Sequence, residues 1–273
     1  MKTRLIETLH AHLPGVKEVT CITYSNPGSG LNARAQVLWF VFRGSENTPA
    51  FVAKTTRDPR AFPLLAQSYD NLVLLSKTDA GLFATPLHAE PDLIVETYMP
   101  GNRRTRWSHA DREVFLRHYS GFQERARLPG EVDMASALNT LSRELLTSEE
   151  SGVFLAACAK FFPTRSLPRY IQHGDLTRDN ILFSPPAVHI VDYEHTHLTA
   201  VPGYDLYNLF SRLKEEDVCV RLQAYAQQLG FSYDDNHLAL FPVLHELLEA
   251  KKKSGRIHTP VVYLKTLLSL LPL

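Results

Sequence analysis

The chain reads as an α+β protein in two parts: a small antiparallel-sheet N-lobe over residues 1–100 and a larger helical C-lobe over 101–273. Three observations predict this division. Short runs rich in β-branched and aromatic residues recur between residues 16 and 97. Apolar residues at helical spacing dominate from residue 109 onward. The one strand-like interruption of that second half, 181–192, has the form of a β-hairpin.

The elements follow in order. Leu5, Ile6, Leu9 and Leu13 place one apolar face on a short helix that Pro14-Gly15 ends. Residues 16–24 and 35–43 read as strands, and the run from Ser25 to Asn32, with Pro27, Gly28 and Gly30, reads as the loop between them. A third strand, 50–55, completes a meander, and a helix over 60–77 turns Leu64, Leu65, Tyr69, Leu72 and Leu75 inward. Two short strands, 87–89 and 93–97, close the first part before Met99-Pro100-Gly101 breaks the pattern. Helices are predicted over 109–125, 134–147, 150–162, 204–230 and 236–251, with the apolar run 260–273 as a packed terminal helix.

Composition excludes several classes. Lysine plus arginine number 29 and aspartate plus glutamate 29, so there is no basic surplus of the kind nucleic-acid binders show. Cys21, Cys158 and Cys219 are far apart and odd in number, which reads as three buried thiols in a reducing compartment. The histidines fall outside metal-ligand spacing, so no zinc site is read. The N-terminus lacks the apolar core of a signal peptide, and no stretch reaches the roughly 18 apolar residues of a membrane span. No transmembrane segment and a cytoplasmic location are expected.

The chemistry concentrates in Ile171-Gln172-His173-Gly174-Asp175-Leu176-Thr177-Arg178-Asp179-Asn180, followed by Val188-His189-Ile190-Val191-Asp192-Tyr193-Glu194. Phosphoryl transfer needs a hard cation beside the phosphates, held by oxygen ligands from Asp and Asn. It also needs a carboxylate that orients the attacking hydroxyl and accepts its proton. Asp175 and Asn180 lie five residues apart on one tight loop, and a hairpin returns the chain to Asp192. Three oxygen-bearing side chains are thereby expected to converge through local connectivity.

HGDLTRDN resembles the catalytic loop of the aminoglycoside phosphotransferase and choline kinase superfamily, relatives of the protein kinases, and IVDYE resembles its magnesium-binding segment. The resemblance implies a protein-kinase-like bilobal fold with ATP in the cleft near 97–101. It implies Asp175 as catalytic base, Asn180 and Asp192 as magnesium ligands, and His173 as a brace of the loop. Asp205 resembles the residue that holds the catalytic loop from a following helix, and Glu194 is a candidate third acid near the metal. Gly28, Ser29, Gly30 and Asn32 resemble the phosphate-covering loop, whose small residues let backbone N–H groups approach anionic oxygens. Lys54, after Phe51-Val52-Ala53, resembles the strand lysine that reaches the α- and β-phosphates. Glu96 and Tyr98 fall on the hinge, where backbone groups would bond adenine.

Two departures from that pattern stand out. The helix after Lys54 carries no glutamate; its one acid, Asp70, is the expected partner, failing which Lys54 is held differently. Thr177 stands where protein Ser/Thr kinases usually carry lysine, which argues against protein substrates. The acceptor is expected to be a hydroxyl of a small molecule or glycan. Acidic residues are not in excess over the helical part, which disfavours a polycationic aminoglycoside. The cluster Arg103, Arg104, Arg106 and Trp107 reads as a solvated loop with one packed Trp, or as a contact for an anionic acceptor. Alternatives are an amino-alcohol kinase of the choline type, a nucleotide-binding pseudokinase, and transfer of adenylate.

Overall fold

A computed structural model describes residues 2–12, 19–24, 36–162, 164–215 and 217–252. They form two compact units, one of residues 1–118 with 179–194 and the other of 119–178 with 195–273. A cut at residue 100 marks where the large sheet ends; the compact units also carry 101–118 and the 179–194 hairpin with that sheet.

The first unit is built on α1 (Lys2–His12), β1 (Val19–Tyr24), β2 (Gln36–Arg43), β3 (Phe51–Thr56), α2 (Phe62–Thr78), β4 (Pro86–Glu90) and β5 (Leu93–Thr97). The strands form an antiparallel sheet in the order β1-β2-β3-β5-β4. Side chains alternate across a strand. Leu5 and Leu9 of α1 therefore pack with Trp39, Val41, Phe51, Ala53, Leu93 and Val95 on one face, while Val52, Lys54, Ile94 and Glu96 point to the other. Buried Leu65, Leu72 and Leu75 form the inward stripe of α2.

The same unit includes β8 (Ile181–Ser184) and β9 (Ala187–Ile190), an antiparallel hairpin. It is sewn in at several points. Asn102 and Phe183 exchange backbone hydrogen bonds of 3.0 Å, and Ile190 N–H donates to Leu82 O at 2.9 Å. Trp107 is buried against Phe115 and Phe183, and Arg104 lies 4.8 Å over the Phe183 ring while pairing with Asp111. Trp107 is thus packed, and Arg103 and Arg106 are exposed.

The second unit takes up the end of α3 (His109–Arg125), then α4 (Met134–Leu145), α5 (Ser148–Cys158), α6 (Tyr204–Arg212), α7 (Val218–Gln228) and α8 (Asp235–Lys252). A capping box of Thr147 and Glu150 starts α5. The helix expected over 204–230 is two helices, separated where Lys214 takes φ 55° and Asp217 caps Val220 N–H at 3.2 Å. A two-stranded sheet of β6 (Arg127–Val132) and β7 (Leu167–Tyr170) was not expected. Cys158 is buried as read, but Cys219 is exposed, because it opens the outer face of α7. The terminal helix expected over 260–273 lies outside the described residues. Among the described residues, no helix is long and apolar enough to cross a membrane.

Candidate active site

In the first unit, strand register decides what meets Lys54. Val52 pairs with Glu96 and Lys54 with Ile94. Lys54 and Glu96 are diagonal neighbours on one face, within reach of long side chains. Lys54 Nζ stands 3.8 Å from Glu96 Oε2 and 5.2 Å above the Tyr193 ring. Burial disfavours the ammonium, yet Glu96, then Asp192 and Glu194, outweigh it and hold Lys54 above the ordinary lysine pKa. Burial likewise pushes the Glu96 carboxyl up, with Lys54 opposing and Asp192 reinforcing. Glu96 Oε2 is buried without a hydrogen bond.

Asn180 and Asp192 are placed by the hairpin. Ile181 pairs with Ile190, and one step outward Val191 N–H donates to Asn180 O at 2.9 Å. Asp192 follows with φ 72°, a left-handed conformation that is costly for a residue other than glycine. Its carboxylate is exposed, whereas Tyr193 next to it is fully buried against Phe83. Asn71 of α2 fixes this turn, donating to Tyr193 O at 2.7 Å and to Glu194 O at 3.4 Å.

In the second unit, Asp205 near the start of α6 organises the chain before Asp175. Its Oδ2 accepts from His173 N–H at 2.6 Å and Tyr119 O–H at 2.8 Å, and its Oδ1 from Gly174 N–H at 2.9 Å. Asp205 is completely buried; burial pushes its carboxyl up and these donors oppose the shift. Gly174 has φ 82°, and a Cβ there would lie 2.0 Å from His195 O, so only glycine fits. Asp175 follows on this rigid support, with Lys252 Nζ 2.8 Å and Arg212 Nη2 4.0 Å from Oδ1.

A model of the phosphotransferase enzyme family matches residues 41–240, a span holding all of these side chains except Lys252. The chain belongs to the phosphotransferase enzyme family. No curated protein matches this phosphotransferase-family chain. Among solved structures, the choline kinase LicA from Streptococcus pneumoniae superposes with a TM-score of 0.60 at 14% identity, covering 99% of this chain and 98% of that one. An aminoglycoside phosphotransferase, APH(3″)-Id from Streptomyces rimosus, gives 0.53 at 19% identity, covering 90% and 98%. The streptomycin–ATP ternary complex of APH(2″)-IIa gives 0.54 at 10% identity, covering 98% and 96%. These likenesses establish the kinase-like fold expected from the sequence, with its antiparallel-sheet N-terminal and helical C-terminal regions.

Several expected site residues sit differently in this phosphotransferase. Asp70 is exposed on α2, off the buried stripe, and the carboxylate beside Lys54 is Glu96. Glu96, expected on the hinge for its backbone, also presents its side chain to Lys54. The Tyr98 N–H donates to Ala50 O at 3.0 Å. Gly28, Ser29, Gly30 and Asn32 lie outside the described residues. Sequence reasoning missed Asn71, whose signal was a polar residue on the inward stripe of a helix, and Lys252, 77 positions from the Asp175 it contacts.

Proposed function

We propose that this chain transfers the γ-phosphate of ATP to a hydroxyl group of a small molecule. The observation that carries the reading is the charge arrangement around Lys54: a buried cation set against Glu96 and flanked by Asp192 and Glu194. A lysine so placed is built to meet phosphate oxygens. The strained and exposed Asp192 and the buried Asn180 supply hard oxygen donors, and they fit magnesium. Asn180 and Asp192 would hold the ion, which neutralises phosphate charge when bound. In the chain, Asp175 precedes Asn180 by five positions. It takes the acceptor's proton as the hydroxyl oxygen attacks. Asp205 and Gly174 hold the backbone that presents it. We place the reaction in the cytoplasm, where ATP and magnesium are abundant.

Among the described residues, the cations of Lys252 and Arg212 stand beside Asp175, which disfavours a polycationic acceptor. A second reading, an amino-alcohol kinase, draws support from the aromatic groups close to this cluster. Tyr207 stacks on Phe241 at 5.6 Å, and Tyr204 lies 6.2 Å from His245, within the influence of Glu249 and Asp175. Turnover of choline or ethanolamine above that of simple sugars would select it.

The first test is a thermal shift with ATP, ADP and GTP, with and without magnesium, on wild type and Asp192→Ala. Stabilisation that requires both magnesium and Asp192 supports the reading. No shift with any nucleotide on folded protein would replace it with a binding module that lacks phosphotransfer.

A further inference from the structure

We propose that Lys252 is a positioning residue for Asp175, supplying a fixed cation from the last described helix. The assignment rests on the reading of Asp175 as proton acceptor. Lys252 closes α8 and reaches Asp175 Oδ1 at 2.8 Å. Its side chain is only 8% exposed, unlike an ordinary surface lysine.

A relay of contacts holds the ammonium in place. Lys252 Nζ also donates to Glu249 Oε1 at 2.6 Å, one helical turn back. Glu249 Oε2 accepts from Arg212 Nη2 at 2.9 Å, and Arg212 Nε donates to Asn208 Oδ1 at 2.9 Å. Asn208 and Arg212 lie on α6, the helix that also carries Asp205. One helix therefore fixes the backbone before Asp175 through Asp205 and the side chain of Asp175 through Arg212, Glu249 and Lys252. Two cations face two carboxylates, and the Lys252 ammonium is the most enclosed of the four. Removing it leaves the partly buried Asp175 carboxylate without the counter-charge 2.8 Å from its Oδ1.

The reaction explains why rotation of the Asp175 carboxylate matters. The acceptor oxygen forms its bond to the γ-phosphorus as the bond to the β–γ bridging oxygen breaks. The electron pair leaves with ADP, and the hydroxyl proton passes to Asp175. Proton transfer needs the carboxylate within hydrogen-bond reach at one orientation. Lys252, by clamping Oδ1, sets that orientation.

The test follows ADP release from magnesium–ATP, with water as acceptor, in full-length wild type, Asp175→Asn, Lys252→Met and Lys252→Arg. ADP affinity is measured in parallel by thermal shift. Lys252→Met is expected to lower kcat by about tenfold or more while ADP affinity stays within about twofold, and Lys252→Arg to recover most of the loss. Should Lys252→Met fail to fold, Glu249→Gln frees the ammonium from its second anchor, and its kcat is expected to fall while KM for ATP holds. Lys252→Met or Glu249→Gln at the wild-type rate would overturn the assignment, as would loss of kcat and ADP affinity in parallel. Asp175→Asn at the wild-type rate would instead remove the reading of Asp175, on which this assignment rests.

Discussion

Lys54 and Glu96 share one face of the sheet because β3 and β5 pair Val52 with Glu96 and Lys54 with Ile94, which makes the two charges diagonal neighbours at 3.8 Å. The lysine is thus anchored from a strand and not from the helix that follows it. Glu96→Gln is expected to raise the KM for ATP or lower kcat by about tenfold, since the ammonium loses its nearest counter-charge. Asp70→Ala is expected to leave both unchanged and to alter stability by less than about 0.5 kcal/mol. Steady-state kinetics on the pair checks this; an effect from Asp70 and none from Glu96 would return the anchor to the helix.

The Asp205 brace leads to a graded prediction. Tyr119→Phe removes one of three donors to a buried carboxylate and should cost about 1 kcal/mol. Asp205→Ala strands three buried donors at once, and its cost should be on the order of 3 kcal/mol or more. Urea unfolding of both variants reads the difference, and equal costs would mean that Asp205 braces nothing.

Gly174 offers no tolerance. Gly174→Ala forces a Cβ against the His195 carbonyl at a φ that side chains rarely adopt. The expected result is insoluble protein or a loss of at least about 3 kcal/mol. A soluble variant with an unchanged melting temperature would show that the 174–195 approach is looser than described.

Stability should fall on the acid side, and His245 is a main reason. Burial, with Lys252 and Arg212 assisting, pushes its pKa from 6.5 down to about 4 against the pull of Glu249. The folded state therefore resists a proton that the unfolded chain accepts. The contribution is complete above about pH 6.5 and is lost as pH falls toward 4, by at most about 3 kcal/mol. Burial opposes ionisation of Glu249, but Lys252 and Arg212 win and hold its pKa below the usual carboxylate range, which adds loss at still lower pH. Melting temperature against pH should drop less steeply between 6.5 and 4 in His245→Gln; parallel curves would rule His245 out.

Much of this was readable from local patterns. The strands of the sheet, the 181–192 hairpin and the spacing of Asp175, Asn180 and Asp192 depend on alternation and short connections that sequence records directly. What escaped depends on register and on distant pairing. Glu96 could be read only as a hinge residue until the pairing of β3 with β5 was known. Lys252 and Asn71 act on residues 77 and 122 positions away. The β6–β7 pair contains Pro129-Gly130, which interrupts strand alternation and sits in the structure as a register shift. The break between α6 and α7 was hidden because apolar spacing continues across the charged run 214–217.

The hairpin that carries Asn180 and Asp192 belongs to the same compact unit as the sheet, although 60 positions of the second unit, 119–178, separate them in the chain. Phe183 has its aromatic partner in Trp107, Ile190 its carbonyl acceptor in Leu82, and Tyr193 its donor in Asn71. During synthesis, the sheet unit therefore remains without these contacts until residue 194 has emerged from the ribosome. By then the chain between has already been made. Closing so long an intervening loop is slow. For this protein, even the half that is translated first cannot finish folding until residue 194 has been made.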